Sequence, residues 1–178
     1  MRRAGWVVLA VAALIALGGC HHRHGPHVGI AMLSELPTPL PTPYDQTATP
    51  DVVGARLDAA FAQAAPTGKR VIVDLGGNWC SWCRALAGVM ALPEVKPFVD
   101  ANFVVVPVDV TSAEGHIDLN AQVLKRFNIT KVEGVPWLVV ADAQGHVLAS
   151  TDAVTDDAHH TPQQMVDWLA QYAKPAKS

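Results

Sequence analysis

Residues 71–83 read VIVDLGGNWCSWC and join a run of apolar residues to a pair of cysteines. The run Val71-Ile72-Val73 predicts a buried strand, and a helical pattern begins at Cys80 and ends before Pro93. Cys80 therefore lies where a strand meets the first turn of a helix. Because unpaired N–H groups and the dipole at a helix N-terminus stabilise a thiolate, Cys80 is the predicted nucleophile. Cys83, one turn further on, is the predicted resolving thiol.

Two other interpretations of this cysteine pair stay open. The pair could be a disulfide that only staples the fold, or it could be half of a zinc site. Zinc usually needs a second pair of ligands, and in the rest of the domain only His159 and His160 lie close together in sequence. A redox-active dithiol is the favoured interpretation.

Helical and strand patterns alternate on both sides of this stretch. The predicted helices cover residues 52–65, 80–92, 118–127 and 162–172, and the predicted strands cover residues 70–75, 103–110, 137–141 and 146–150. Strand–helix–strand units imply parallel pairing, and the last hairpin implies an antiparallel edge. The predicted fold class is α/β, with a mixed central β-sheet flanked by helices in one domain at residues 51–178.

Composition excludes one class of function. The chain has 178 residues, half of them apolar, and a formal net charge of -3. A chain with this balance can form a packed core but offers no basic face, so we expect no nucleic acid partner.

The first 19 residues resemble a bacterial lipoprotein signal peptide. Arg2 and Arg3 precede an apolar run, which ends in Leu17-Gly18-Gly19-Cys20. This resemblance implies cleavage before Cys20, lipidation of Cys20 and anchoring to a membrane in the bacterial cell envelope, facing the periplasm. His21 after the lipidated cysteine favours the outer membrane over the inner one. An uncleaved N-terminal membrane anchor is the alternative.

Residues 20–50 are predicted to be a tether rich in His and Pro. Prolines at alternate positions from Pro37 to Pro43 favour extended polyproline II structure, which suits a spacer. Imidazole groups this close together can bind copper or zinc, so the segment also offers weak metal candidates. These candidates are His21, His22, His24 and His27.

The strand at residues 71–75, the motif Trp79-Cys80-x-x-Cys83 and the later Gly134-Val135-Pro136 together resemble the thioredoxin superfamily. The resemblance covers about residues 52–173 and implies the thioredoxin fold. It further implies that Asp74 is a buried carboxylate that accepts the proton of the resolving cysteine. By the same resemblance, Pro136 is a cis-proline facing the dithiol, the backbone of Val135 pairs with substrate, and Trp79 shields one side of the disulfide.

The pair between the cysteines and the residue after Pro136 depart from the usual pattern of this superfamily, and the role of Arg84 stays open. Ser81-Trp82 separates the cysteines, which leaves the direction of exchange open. Trp137 follows Pro136 where a small residue is usual, and with Trp79 and Trp82 it either forms an aromatic rim for substrate or belongs to the core. Arg84 either favours the thiolate or is a solvated charge.

The resemblance implies a thiol–disulfide oxidoreductase that acts on the cysteines of envelope proteins and needs no cofactor. Similarity to short periplasmic thioredoxin-like proteins favours a reductant, which would draw electrons from a thiol relay in the membrane. The alternatives are a copper-handling or metal-binding lipoprotein with a thioredoxin-like fold, and a redox-inactive binding module.

Overall fold

The computed structural model describes residues 23–110, 119–152, 154 and 160–175. Cys20, His21 and His22 lie outside these residues. The helices are α1 (Pro50–Ala64), α2 (Ser81–Ala91), α3 (Lys96–Asn102), α4 (Ala121–Arg126) and α5 (Pro162–Gln171). The strands are β1 (Arg70–Gly76), β2 (Phe103–Asp109), β3 (Trp137–Ala141) and β4 (Val147–Thr151). Short 3-10 helices cover Leu33–Glu35 and Ala65–Thr67.

The strands form one mixed sheet in the order β2-β1-β3-β4. β1 pairs in parallel with β2 and antiparallel with β3, and β3 pairs antiparallel with β4. The predicted α/β class and its antiparallel edge are confirmed. Parallel pairing is confirmed only between β1 and β2, because β3 lies on the far side of β1 and runs in the opposite direction. β1 is therefore an inner strand, and its carboxyl end leads directly to Cys80.

Alternation along the strands gives the sheet two buried faces. Ile72, Leu138 and Val140 contribute to a core cluster that also includes residues of α2, α3 and α5. Val73 and Val139 contribute to a second cluster, on the opposite face, with residues of α1 and α4. Burial of apolar surface on both faces accounts for the near-continuous hydrophobic run of β1.

Capping residues mark the starts of α1 and α5. At the start of α1, the Thr49 side chain accepts a hydrogen bond from the N–H of Val52, and Pro50 occupies the first turn. Thr161 and Gln164 form a capping box at the start of α5. These local signals explain why both helices begin within two residues of their predicted starts.

Two helices differ from the prediction. α3 was not predicted, because a seven-residue helix with proline at its second position gives a weak periodic signal. α4 was predicted from residue 118 but begins at Ala121. Asn120 has a left-handed backbone, with a φ of 58°, which is incompatible with the interior of a helix.

The described part of the predicted tether, residues 23–49, packs against the domain. Val28 and Leu36 are buried in the cluster shared with α2 and α5. The side chain of Gln163 in α5 accepts a hydrogen bond from the N–H of Val28 over 2.9 Å and donates one to the carbonyl of Pro26 over 3.1 Å. The prediction of a spacer is therefore wrong for these residues, because their scattered apolar side chains bury against the helices despite the proline-rich composition.

None of the helices in the part of the chain that the structure describes is both long and apolar enough to cross a membrane.

Candidate active site

Cys80 and Cys83 form a disulfide at the start of α2, and their Cα atoms are 5.3 Å apart. Cys80 is the N-cap residue of this helix, and its Sγ accepts a hydrogen bond from the N–H of Cys83 over 3.1 Å. The N–H of Cys80 itself donates to the carbonyl of Gly77 over 3.0 Å, which closes the turn between β1 and α2. The predicted strand-to-helix junction is confirmed, and Cys80 has the helix N-terminus as its electrostatic environment.

The two sulfur-bearing residues differ in exposure. Cys80 is 6% exposed and Cys83 is fully buried. Cys80 therefore keeps a small contact with solvent, whereas Cys83 has none. This asymmetry is what a nucleophile and a resolving thiol require.

Asp74 lies in the interior of β1, paired between Pro107 of β2 and Leu138 of β3. Its side chain is buried, so the expectation of a buried carboxyl is met and the alternative of an exposed acid is excluded. Burial raises the pKa of Asp74 from 3.8 to about 7, while a hydrogen bond from Tyr44 acts in the opposite direction. Such a carboxyl can exchange protons near neutral pH, as its predicted role requires.

Tyr44 is a residue of this site that the sequence patterns did not reveal. Its hydroxyl donates a hydrogen bond of 2.9 Å to Oδ2 of Asp74, and its side chain is buried with Cys80 and Cys83 in one cluster. The available signal was weak: Tyr44 is one of only two tyrosines in the chain and lies directly after a proline-rich stretch. The sequence alone did not indicate that an aromatic side chain next to this proline-rich stretch would be buried at the site.

A close approach at Gly76 brings these groups together. A Cβ atom at Gly76 would lie 2.6 Å from the hydroxyl oxygen of Tyr44 and 2.9 Å from Sγ of Cys83. The tyrosine hydroxyl and the resolving sulfur thus flank the same point on β1. Only glycine leaves room for both.

Polar contacts on the backbone hold Tyr44 and its neighbours in place. The side chain of Asn78 accepts a hydrogen bond from the N–H of Tyr44 over 3.1 Å and donates one to its carbonyl over 2.7 Å. The guanidinium of Arg84 donates to the carbonyls of Leu40 and Pro41 over 2.8 and 3.1 Å. Arg84 is therefore neither a solvated charge nor, by these contacts, a partner of the cysteines, and it secures the N-terminal segment to α2.

The peptide bond between Val135 and Pro136 is cis, as the family resemblance implies. The carbonyl oxygen of Val135 lies 3.5 Å from Sγ of Cys80, and the Val135 side chain packs against the cysteine cluster. The structure therefore brings Val135 and Pro136 to the dithiol. The expected pairing of the Val135 backbone with a substrate remains a prediction.

The three tryptophans of the predicted rim differ in their exposure and packing. Trp79 is 61% exposed and directly precedes Cys80, and Trp82 is 41% exposed and lies between the two cysteines in sequence. Trp137 is only partly buried, packs against the core cluster on the α1 side of the sheet, and donates a hydrogen bond from Nε1 to Oγ of Ser150 over 3.0 Å. Trp79 and Trp82 remain candidates for contact with a substrate, whereas Trp137 belongs mainly to the core.

Of the histidines considered as metal ligands, the described ones are His24 and His27. Nδ1 of His24 lies 3.5 Å from Oδ2 of Asp167, at the surface of α5. Within residues 23–110, 119–152, 154 and 160–175, no three His, Cys, Asp or Glu side chains are grouped so that they could hold a metal ion.

Comparisons with known proteins agree with this geometry. A family model described as thioredoxin-like matches residues 53–143. The thiol:disulfide interchange protein DsbD of Cronobacter sakazakii is 35% identical over 91 residues, which are 51% of this chain and 14% of that protein. This chain therefore corresponds to a small part of that relative's length.

A solved structure extends the likeness beyond the matched range. The crystal structure of a disulphide isomerase from Xylella fastidiosa Temecula1 is similar with a TM-score of 0.63 and 26% identity, and the match covers 74% of this chain and 97% of that one. The family match, the cysteine pair at the start of α2 and the cis-proline beside it lead to one conclusion. The chain belongs to the thioredoxin-like family, and Cys80 and Cys83 are paired as a disulfide at the start of α2.

Proposed function

We propose that this chain is a thiol–disulfide oxidoreductase that reduces disulfides in proteins of the bacterial cell envelope. The observation that carries this proposal is the asymmetric disulfide: Cys80 lies at a helix N-terminus and keeps a small exposed area, while Cys83 is fully buried. A disulfide that only stapled the fold would not need a buried acid or an exposed tryptophan beside it.

The reaction divides into two exchanges. In the first, the thiolate of reduced Cys80 attacks one sulfur of a substrate disulfide, and the other substrate sulfur leaves as a thiolate. In the second, the thiol of Cys83 gives its proton to the carboxylate of Asp74, and its sulfur attacks Sγ of Cys80. The second substrate sulfur leaves with the electron pair of the broken bond. The substrate gains two electrons, and the chain is left with the Cys80–Cys83 disulfide.

The reducing direction requires a source of electrons in an oxidising compartment. The relative DsbD is named as a thiol:disulfide interchange protein, which supports a partner of that kind. A membrane-embedded thiol relay would reduce the Cys80–Cys83 disulfide after each turnover.

The location follows from the N-terminal sequence. Residues 1–19 resemble a lipoprotein signal, so Cys20 would anchor the chain to a membrane with its domain facing the periplasm, and His21 favours the outer membrane. The full-length chain is expected in the membrane fraction, and Cys20→Ala is expected to abolish labelling by a radioactive fatty acid. Equal labelling of both proteins would contradict lipidation at Cys20.

Reduction of insulin by the full-length chain with dithiothreitol tests the activity. We expect Cys80→Ser to lose nearly all of the acceleration, while Tyr172→Phe, at the residue that follows α5 and packs on Trp168, keeps it. Equal rates for the wild type and Cys80→Ser would reject the oxidoreductase assignment. Equilibration of Cys80–Cys83 with glutathione then gives the reduction potential: a value near the -270 mV typical of thioredoxin supports a reductant, and one near the roughly -120 mV of a strong oxidant contradicts it.

A further inference from the structure

A tyrosine from outside the matched family range reaches the centre of the exchange site. Tyr44 precedes the matched residues 53–143, yet its hydroxyl is 2.9 Å from Oδ2 of Asp74 and adjoins the sulfur of Cys83 across Gly76. The N-terminal segment thus supplies a polar group to a site otherwise formed by β1, α2 and the loop before β3.

We propose that Tyr44 is a positioning residue of the exchange reaction, which holds the carboxylate of Asp74 beside Cys83 and sets the pH range in which it accepts the proton of Cys83. This inference rests on the proposed function and adds a residue to the second exchange. The proton passes from Cys83 to Asp74, and the Tyr44 hydroxyl keeps its own proton throughout.

The placement of Tyr44 is fixed by the loop that carries the nucleophile. Asn78, two residues before Cys80, binds both the N–H and the carbonyl of Tyr44. The backbone of Tyr44, from which the hydroxyl reaches Asp74, is therefore held by the turn that leads into α2. A tyrosine that only filled space would need neither the hydrogen bond to Asp74 nor the two hydrogen bonds between its backbone and Asn78.

The groups around Asp74 determine in which direction the Tyr44 hydroxyl shifts the pKa of this carboxyl. A carboxylate removed from water is destabilised, and a hydroxyl that donates to it is the direct source of stabilisation here. The pKa of Tyr44 is raised far above its ordinary value by burial and by the carboxylate, so the tyrosine stays protonated and acts as a donor.

The other charged groups around the Tyr44–Asp74 pair lie on α2, β2 and α3. On α2, Arg84 is bound to the carbonyls of Leu40 and Pro41. On β2, buried Asp109 acts on Tyr44 as a like charge. On α3, Lys96 and Asp100 pair with each other over 2.6 Å beside a groove of about 260 Å³ that Asp74 also lines. The neighbour of Asp74 on β3 is apolar Leu138. Among these described groups, the Tyr44 hydroxyl is the one bonded directly to the carboxylate.

A two-step reaction with an aromatic disulfide isolates the second exchange. Cys80 of the reduced full-length chain attacks the reagent and releases one coloured thiolate, and attack by Cys83 then releases the second. The rate of the second release is measured against pH for the wild type, Tyr44→Phe, Asp74→Asn and the double variant. Tyr172→Phe is the control, since it removes the hydroxyl of the chain's other tyrosine, which packs on Trp168.

We expect Tyr44→Phe to raise the midpoint of the pH profile by about one unit, because a hydrogen bond to a charged group is typically worth that much. Below the midpoint, the second release slows about tenfold. Tyr172→Phe leaves the profile unchanged, Asp74→Asn removes this titration, and the double variant behaves as Asp74→Asn alone. A midpoint for Tyr44→Phe within about 0.3 units of the wild type overturns the proposal, as does a further shift in the double variant.

Failure of the inference and failure of the proposed function give different results. If the wild type shows no second release, the dithiol does not complete exchange and the proposed function fails. If the wild type shows the second release and Tyr44→Phe has the same pH profile, only the role of Tyr44 fails.

Asn78→Ala replaces Tyr44→Phe if the latter does not fold, as judged by circular dichroism. This variant keeps the tyrosine hydroxyl but frees the Tyr44 backbone. An unshifted midpoint in folded Asn78→Ala then overturns the proposal.

Discussion

The backbone N–H of Cys83 donates a hydrogen bond of 3.1 Å to Sγ of Cys80 in the first turn of α2. N–H groups at the start of a helix have no partner within the helix, so a sulfur placed there receives both a donor and the positive end of the dipole. Once the disulfide is reduced, a negative charge on Cys80 is stabilised by the same geometry. Cys83 is fully buried and lies inside the helix rather than at its cap.

Alkylation of the reduced full-length chain should therefore be strongly selective for Cys80. We expect iodoacetamide to modify Cys80 at least about ten times faster than Cys83, because the thiolate is the reactive form and the buried thiol is inaccessible. Mass spectrometry of the peptide that contains both cysteines gives the two rates. Cys83→Ala should keep the fast reaction and Cys80→Ala should lose it, whereas similar rates for the two cysteines would contradict the assigned roles.

Stability should depend on pH through Asp74. Because its pKa is raised to about 7, the folded chain keeps a proton on Asp74 that the unfolded chain loses above about pH 4. The favourable contribution of the protonated acid is complete below about pH 4 and is lost as pH rises through about 7. Between about pH 5 and about pH 9, the free energy of unfolding of the wild type should therefore fall relative to that of Asp74→Asn, by on the order of 3 kcal/mol.

Denaturant unfolding of the full-length chain across this range tests the linkage. Asp100→Asn is the matched control, since Asp100 is an exposed acid paired with Lys96 on α3. Its curve should run parallel to that of the wild type. If Asp74→Asn also runs parallel, Asp74 does not titrate between these limits.

Local patterns in the sequence were sufficient to predict the core of the site. The valine-rich run of β1 is a strand because both faces of the sheet are buried, and the cysteine spacing places both sulfurs on one helix turn. The family resemblance singled out Asp74 and Pro136, which the structure shows as a buried carboxyl and a cis-proline; their roles in exchange stay predictions. Burial and placement could be predicted from the sequence where a residue's own strand or helix determines them, as in β1 and at the start of α2.

The contribution of the N-terminal segment could not be predicted in the same way. Tyr44 and Asp74 are 30 residues apart, and their contact depends on where residues 40–44 cross α2. Proline-rich composition favours extended backbone but does not determine whether that backbone is solvated or packed. Trp137 was similarly ambiguous, because a partly buried strand residue can serve either the core or a rim.

Substitution at Gly76 should disturb both stability and exchange. A Cβ atom there would lie under 3.0 Å from both Tyr44 and Cys83, so one of these side chains has to shift. We expect Gly76→Ala to lower the free energy of unfolding by about 1–3 kcal/mol, as overpacking typically does. It should also slow the attack of Cys83 on the mixed disulfide. Denaturant unfolding and the two-step thiolate release measure these effects.

Gly54→Ala is the control for Gly76. Gly54 lies inside α1, and a Cβ there would meet no atom within 4 Å. Alanine is the better helix former, so this variant should be more stable by about 0.5–1 kcal/mol and should exchange at the normal rate. If both substitutions change the free energy of unfolding and the exchange rate equally, the close approach at Gly76 limits neither stability nor exchange.

Arg84 should act on the exchange site through the N-terminal segment. Its guanidinium donates to the carbonyls of Leu40 and Pro41, so Arg84→Met keeps most of the apolar stem but leaves both acceptors without their donor. We expect a loss of about 1–3 kcal/mol in the free energy of unfolding, because hydrogen bonds made by a charged group typically contribute that much and these two are partly buried. Because Tyr44 follows these carbonyls closely in sequence, the pH midpoint of the second thiolate release should also rise, by less than in Tyr44→Phe. Lys125→Met is the control, since it removes an exposed cation of similar length from the last turn of α4 and should change neither measurement appreciably. If Arg84→Met changes stability alone, residues 40–44 keep Tyr44 on Asp74 without help from α2, and Asn78 is its main anchor.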